Sequence, residues 1–211
     1  MPLLGQAAVA MWWDIEPAQR AAFEHWHSHE HFSERLSISG FRRGTRWANA
    51  QGGEGYFVIY ELATYDTLTS PQYLERLNNP TPWSQKMMPH HRHMIRSQCR
   101  VIESAGAGVS GFALTLRFPQ LPDEVASGRF VRQLGELPLQ PGIVGAHLLH
   151  TQTPAAAQTT EQKIRGGDAV ADWIVLATGY DAKLLEALAQ SFPAARADLF
   201  RLSHTMTPAD L

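Results

Sequence analysis

Two stretches of this chain spell nearly the same phrase: IYELATYD at 59–66 and IVLATGYD at 174–181, an offset of 115 residues. A second pair, SGF at 39–41 and PGI at 141–143, lies 102 residues apart. A duplication of this length limits the folds open to the chain, because both halves must be built from the same elements. The two offsets differ by 13 residues, so the second copy carries extra chain between its markers. TPAAAQTTEQKIRGGD (153–168) supplies it, and its small, polar, glycine-ended composition reads as loop.

The halves share one grammar. In the first, the apolar run Leu3–Trp13 reads as a strand. Glu16–Leu36 reads as a helix, with Pro17 in its first turn and Gly40 as its break. GFRRGTRWANA and YFVIYELATYD read as strands joined by the QGGEG turn, the second rich in β-branched and aromatic residues. TLTSPQYLERLNN reads as helix, PTPW interrupts it, and SQKMMPHHRHMIRS continues helically with a bend at Pro89. QCRVIES is a final short strand. In the second half, SGFALTLRF, PGIVGAHLLHT, ADWIVLATGYD and ADLFRLSHTM read as strands. PDEVASGRFVRQLGEL, opened by Pro122-Asp123, and AKLLEALAQSF read as helices.

Each half is therefore β-α-β-β-α-β, the ferredoxin-like unit. Residues 1–104 form the first unit, 105–110 a linker within SAGAGVSG, and 111–211 the second unit. Helices cover only one face of each four-stranded antiparallel sheet, so the other face needs a partner. Packing the two sheets face to face supplies it. The expected fold is α+β, an intrachain pseudo-dimeric α+β barrel with a cleft between the sheets.

With 44% hydrophobic and 18% charged residues the composition is that of an ordinary globular chain. A formal net charge of −2 leaves no electrostatic footprint for nucleic acid. The apolar runs fall far short of a bilayer span, and the N-terminus lacks the basic start of a signal peptide. The single cysteine, Cys99, excludes an intrachain disulfide; a small buried hydrophobe in a cytoplasmic protein is the expectation.

FEHWHSHEHFSERLSISGFRRGTRW resembles the helix-to-second-strand segment of EthD-like and stress-responsive dimeric α+β barrel proteins. The matching positions are Trp26, His31, Ser39-Gly40-Phe41, Arg43 and Arg46, with Ser39 in place of the usual proline. The resemblance implies enzymes acting on small oxygenated organic molecules, haem-binding relatives and proteins without known activity. It supplies no catalytic signature, and fold alone is a weak guide to chemistry.

Histidines occupy every second position from His25 to His31. On a regular helix His25 pairs with His29 and His27 with His31, about 200° apart, so the four cannot converge on one metal. Ala22, Phe23 and Trp26 mark a buried stripe that continues to His29, Glu30 and Ser33. The face bearing His27, Glu30, His31 and Glu34 offers two imidazoles and a carboxylate to a divalent metal, the metal-binding form of a third reading. It also carries Arg20, Glu24 and Arg35, however, which reads as solvated. The expected catalytic group is His31 as proton acceptor, assisted by Arg46 or Tyr60 as donor to an oxyanion. Trp26, Trp83, His147 and Trp173 are the expected substrate-binding residues. No metal ligand set and no cofactor are assigned. His90, His91 and His93 are the candidates for a haem ligand in a third, cofactor-binding alternative.

The leading expectation is small-molecule binding with cofactor-independent acid/base chemistry of the isomerase, cyclase, decarboxylase or oxygenase kind. The alternative is a non-catalytic ligand-binding or structural barrel. A small organic molecule is the expected partner. The chain is expected as a monomer closed on itself or as a homodimer.

Overall fold

Alternation along β1 (Ala7–Asp14) sends Ala8, Ala10 and Trp12 to one face and Val9, Met11 and Trp13 to the other, and both faces are buried. A strand buried on both sides needs packing layers on both sides. The computed structural model, which describes residues 2–120, 128–154 and 158–211, provides them. Eight antiparallel strands close into a barrel in the order β1-β3-β2-β8-β5-β7-β6-β4, with β4 returning to β1. The others are β2 (Phe41–Asn49), β3 (Gly55–Leu62), β4 (Arg92–Gly106), β5 (Phe112–Phe118), β6 (Ile143–Thr151), β7 (Trp173–Gly179) and β8 (Arg196–Met206).

Strands β1–β4 and β5–β8 each follow the ferredoxin-like order, and β2·β8 and β4·β6 are the two seams that join them. The expected α+β barrel is therefore present, closed by hydrogen bonds at both seams. β4 is the long stitch. Its first part pairs with β1 from Arg92 to Arg100, and its last part pairs with β6 from Cys99 to Gly106.

The barrel interior is filled. Trp12 stacks on Phe57 at 5.0 Å, Trp47 on Phe57 at 5.5 Å, and Phe57 meets Phe200 at 5.8 Å. Ala8, Ala10, Cys99, Leu149, Ile174 and Leu176 pack around this stack. Side chains thus occupy the middle of the barrel, where the sequence suggested a cleft between sheets. Burial pushes the Cys99 thiol up to about 12, so it stays protonated as a packed small group.

Helices lie outside. α1 (Arg20–Trp26), α2 (Phe32–Leu36), α3 (Pro71–Asn78) and α4 (Pro82–Met87) cover the first four strands through Phe23, Trp26, Phe32, Tyr73 and Leu77. α5 (Arg129–Glu136) and α7 (Ala182–Gln190) cover the second four through Phe130, Leu134 and Leu185. The expected start of α5 at Pro122-Asp123 lies outside the described residues.

Three expectations are corrected. The helical reading of 84–97 ends at Met87; a short 3-10 turn, Met88–His90, follows, and β4 starts at Arg92. Pro89 removes a helical donor, and pairing with β1 claims the backbone beyond it. β4 also runs to Gly106, into the stretch read as linker. Within 153–168, read as loop, Thr160–Ile164 forms α6, started by a capping box between Thr159 and Gln162.

Gly44 lies on β2 beneath α2. A β-carbon there would collide with the Phe32 ring and stand 2.8 Å from Tyr60. Gly44→Ala is expected to cost about 1–3 kcal/mol through overpacking. A lowered denaturant midpoint at unchanged slope checks this; a midpoint equal to wild type would show that α2 shifts at no cost.

Candidate functional site

The first helix is not regular. Between α1 and α2 the chain takes a π turn over His27–His31. The wider turn slips the helical phase by one residue. The buried stripe then runs through Phe23, Trp26, His27, His31, Phe32, Arg35 and Leu36, and His29 is exposed. The solvated reading of the His27/His31/Arg35 face is thereby overturned. His25 and His29 form the outer pair, with ring centroids 4.6 Å apart and His25 5.3 Å from Trp83.

His27 and His31 stand 5.2 Å apart, centroid to centroid, and Trp26 packs on His31 at 4.6 Å. His91, on the bend between the 3-10 turn and β4, approaches from the other side, 4.9 Å from Trp13 and 5.8 Å from Trp26. Together with Tyr60 from β3, Arg96 from β4 and Arg35 from α2, these rings line one pocket between the outer face of the sheet and the helices. Val9, Met11, Leu77 and Met94 supply its apolar wall. Glu161 and Arg165, from the insert of the second unit, close it.

Glu161 is nearly fully buried and accepts a hydrogen bond from Nη2 of Arg35, 126 residues away. Arg165 reaches the other Glu161 oxygen at 3.4 Å and holds Asp168 bidentately at 2.9 and 3.1 Å. Arg96 donates to the Tyr73 hydroxyl at 2.8 Å. By contrast, Nδ1 of His27, Nδ1 of His31, both ring nitrogens of His91 and the Tyr60 hydroxyl are buried without a hydrogen-bond partner among the described residues. Buried polar atoms without partners are uncommon, and several around one void mark a place for a ligand or water. The free space is about 30 Å³, roughly one water's share of liquid volume.

Burial holds His27, His31 and His91 neutral. It lowers all three, helped by Arg46 at His27 and by Arg35 at His31, and His91 falls to about 3. Burial also raises the Tyr60 phenol well above its ordinary range, against the pull of Arg35, so its hydroxyl remains a donor. Burial opposes the charge of Arg35, yet the Glu161 and Glu34 carboxylates outweigh it and hold the guanidinium above its ordinary range. The pocket thus offers neutral imidazoles, a protonated phenol and a fixed cation.

The residues expected to form one site fall in separate places. His31 and Tyr60 line the pocket, and Trp26 backs it while donating Nε1 to Glu30 at 3.1 Å. Arg46 shares the outer face and bonds Ser28 at 3.1 Å and Ser203 at 3.3 Å, beside His27 but outside the pocket lining. Trp83 is half-buried beside the exposed His25 and does not line the pocket. His147 lies inside the barrel, bonded through Nδ1 to the Ser104 hydroxyl at 2.8 Å. Trp173 stacks on His150 at 3.9 Å, on the outer face of the second unit. That face is apolar: the repeat puts Val175 where Tyr60 stands, among Leu114, Leu116 and Leu134.

Glu161 and Arg165 escaped the reading of the sequence, while His27 and Arg35 were placed on a solvated face and His91 was named only as a haem-ligand candidate. The four-residue spacing of Glu161 and Arg165 and the Thr159-x-x-Gln162 start were the available signals for a helix in the insert. Nothing local announces that this helix crosses to the first unit.

A larger hollow, about 640 Å³, opens at one mouth of the barrel over Trp12 and Phe200. Its polar groups mostly pair with one another: Arg117 and Arg196 share Asp198 at 2.5 and 3.8 Å, His93 meets Asp14 at 2.8 Å, and Glu54 pairs with Arg92. The smaller histidine pocket, where unmatched groups converge, is the better candidate despite its volume. Among the described residues no group of three or more ligating side chains is arranged to hold a metal ion. No helix among them is long and apolar enough to cross a membrane.

No known family model matches this sequence, and no curated protein matches it either. Solved structures do. An anthrone oxidase-like protein aligns over 96% of this chain and 93% of its own, at 11% identity and a TM-score of 0.66. A candidate monooxygenase from Fusobacterium nucleatum aligns over 97% and 96%, at 5% identity and a TM-score of 0.58. Another from Lactobacillus acidophilus aligns over 96% and 97%, at 9% identity and a TM-score of 0.54. At these identities the likeness establishes the fold, an α+β barrel shared along nearly the whole chain.

Proposed function

We propose that the histidine pocket binds a small, largely apolar, oxygenated organic molecule and moves a proton on it. One observation carries the reading: His27, His31, His91 and Tyr60 converge on a single void with their polar atoms unpartnered. His31 is the proton acceptor. Its neutral imidazole faces the void, Trp26 fixes its ring, and a negative charge forming nearby favours its protonated form. Tyr60 donates its hydroxyl to the developing oxyanion, and Arg35 takes the charge-stabilising role that the sequence suggested for Arg46. The kinship to EthD-like and stress-responsive barrels belongs to the same proposal, as does oxygenase-type chemistry after proton removal.

Anthrone is a suitable probe, since one structural neighbour is described as anthrone oxidase-like. Its methylene carbon is acidified by two rings and a conjugated carbonyl. Loss of a proton gives the enolate, and reaction of anthrone with dioxygen yields anthraquinone and water. The proton step is tested without oxygen, as hydrogen–deuterium exchange at that carbon followed by NMR. His31→Gln is expected to slow the protein-dependent exchange by about a hundredfold or more. Exchange unchanged in the variant, or equal with and without protein, would remove His31 from the role.

A second reading, a non-catalytic barrel, is favoured by one observation. The pocket as it stands encloses only about 30 Å³. Catalysis on any organic substrate requires the wall to open.

A further inference from the structure

We infer that Glu161 occupies the position of an anionic ligand group on Arg35, and that an apolar molecule bearing a carboxylate or similar oxyanion binds by displacing it. This rests on the reading of the histidine pocket above and names the ligand class and the gate of that site.

The walls of the pocket differ in origin. Val9, Met11, Tyr60 and Arg96 stand on barrel strands, and His27, His31 and Arg35 on the first helix, packed into the core. Glu161 and Arg165 come instead from α6 and the residue after it, in the excess chain of the second copy. α6 is five residues long. The described stretch rejoins the sheet only at Ala169, which exchanges backbone hydrogen bonds with Met94 and Arg96 at 2.9 and 2.8 Å. With room for about one water inside, a larger ligand enters only if a wall moves. α3 and the 3-10 turn, which bring Tyr73, Leu77 and Met88, belong to the packed core, whereas α6 is a five-residue wall supplied by the excess chain.

The ion pairs decide what such a movement leaves behind. Arg165 has a partner within its own segment, Asp168, at 2.9 Å, so it stays paired if the segment swings out. Arg35 has Glu161 and, at 3.5 Å, Glu34. Withdrawal of Glu161 therefore leaves a buried guanidinium with an empty face toward the pocket. Among the described residues Glu34 then remains as its one carboxylate neighbour, without a hydrogen bond. Loss of a hydrogen-bonded partner from a buried cation is strongly unfavourable, and a ligand carboxylate restores both the charge balance and the hydrogen bond. A neutral ligand does neither. The remaining lining, Leu77, Met88, Met94 and the rings of Trp13 and Tyr73, suits an aromatic body behind that group.

The probes are naphthalene-2-carboxylate and its neutral isostere naphthalene-2-carboxamide, titrated calorimetrically into the full chain. Glu161→Gln is expected to bind the carboxylate about tenfold more tightly than wild type, with the carboxamide changed by less than about twofold. In wild type the carboxylate is expected to speed tryptic cleavage after Lys163, within α6, as the segment is expelled. Equal gains for both probes would overturn the displacement and leave the pocket reading standing, with α6 acting by cover alone. Slower cleavage with carboxylate would also overturn it, since the ligand would then sit beneath a closed α6. Failure of both proteins to bind either probe would overturn this inference together with the pocket reading. Should Glu161→Gln not fold, the wild-type cleavage assay decides the displacement by itself.

Discussion

Acidification from pH 7 to about 4.5 is expected to unfold the protein, with histidines rather than carboxylates driving the transition. His27, His31, His91 and His147 are all buried. Burial lowers each of them, His91 to about 3 and His147 to about 4. In the unfolded chain each titrates near 6.5. A histidine held low in the folded state contributes its full stability above about pH 6.5, and loses it as pH falls toward the folded value. Each such group removes about 1.4 kcal/mol per pH unit. Four together remove up to about 5 kcal/mol per pH unit, against a total stability of about 5–15 kcal/mol for a domain. Glu34 and Glu61 act in the opposite direction, because burial raises them and the folded state takes their protons first. Tryptophan fluorescence and circular dichroism against pH, at constant ionic strength, measure the transition. His91→Phe is expected to reduce proton uptake on unfolding by about one. Stability that stays flat between pH 6.5 and 4.5 would show that the rings are hydrated or open locally without cost.

Residues 1–104 expressed alone are expected to aggregate or self-associate. We propose the halves 1–104 and 111–211 as repeat units that depend on each other. In the full chain β2 pairs with β8 and β4 with β6, so the isolated half exposes both sheet edges. It also bares Trp12, Trp47, Phe57 and Ile59, which pack in the barrel with Phe200, Ile174 and Leu176. Arg35 loses Glu161 as well, and removing one partner of a buried ion pair costs about 3–5 kcal/mol. Light scattering on the fragment, alone and mixed with residues 105–211, checks the expectation. A folded, monodisperse monomer of the first half would show that its inner face needs no partner. Recovery of a one-to-one complex on mixing is the expected result.

These two results draw on different levels of organisation. The β-α-β-β-α-β order, the duplication and the excess in the second copy are visible in the sequence, because strand alternation and repeat spacing are local patterns. Burial of one sheet by the other follows from the same patterns, and the closed barrel agrees. Site legibility was narrower. His31 and Tyr60 stood out by residue type, and both line the pocket; Trp83, His147 and Trp173 stood out equally and lie elsewhere. Residue type alone does not say which face of which sheet a side chain reaches.

What the sequence by itself determined is the architecture: two like units whose sheets must close against each other. Three things were decided only by tertiary structure. The π turn at His27–His31 reset the helical phase, so that the stripe of Phe23, Trp26 and His27 continues inward through His31, Phe32 and Arg35 instead of through His29, Glu30 and Ser33. Aromatic packing of Trp12, Trp47, Phe57 and Phe200 filled the barrel and moved the available pocket to its outer face. The pairing of Arg35 with Glu161 joined residues 126 positions apart. The reason is common to all three. Periodicity is written along the chain within a few residues, whereas the cost of an unpaired charge or an unfilled void is set by neighbours that only folding brings together.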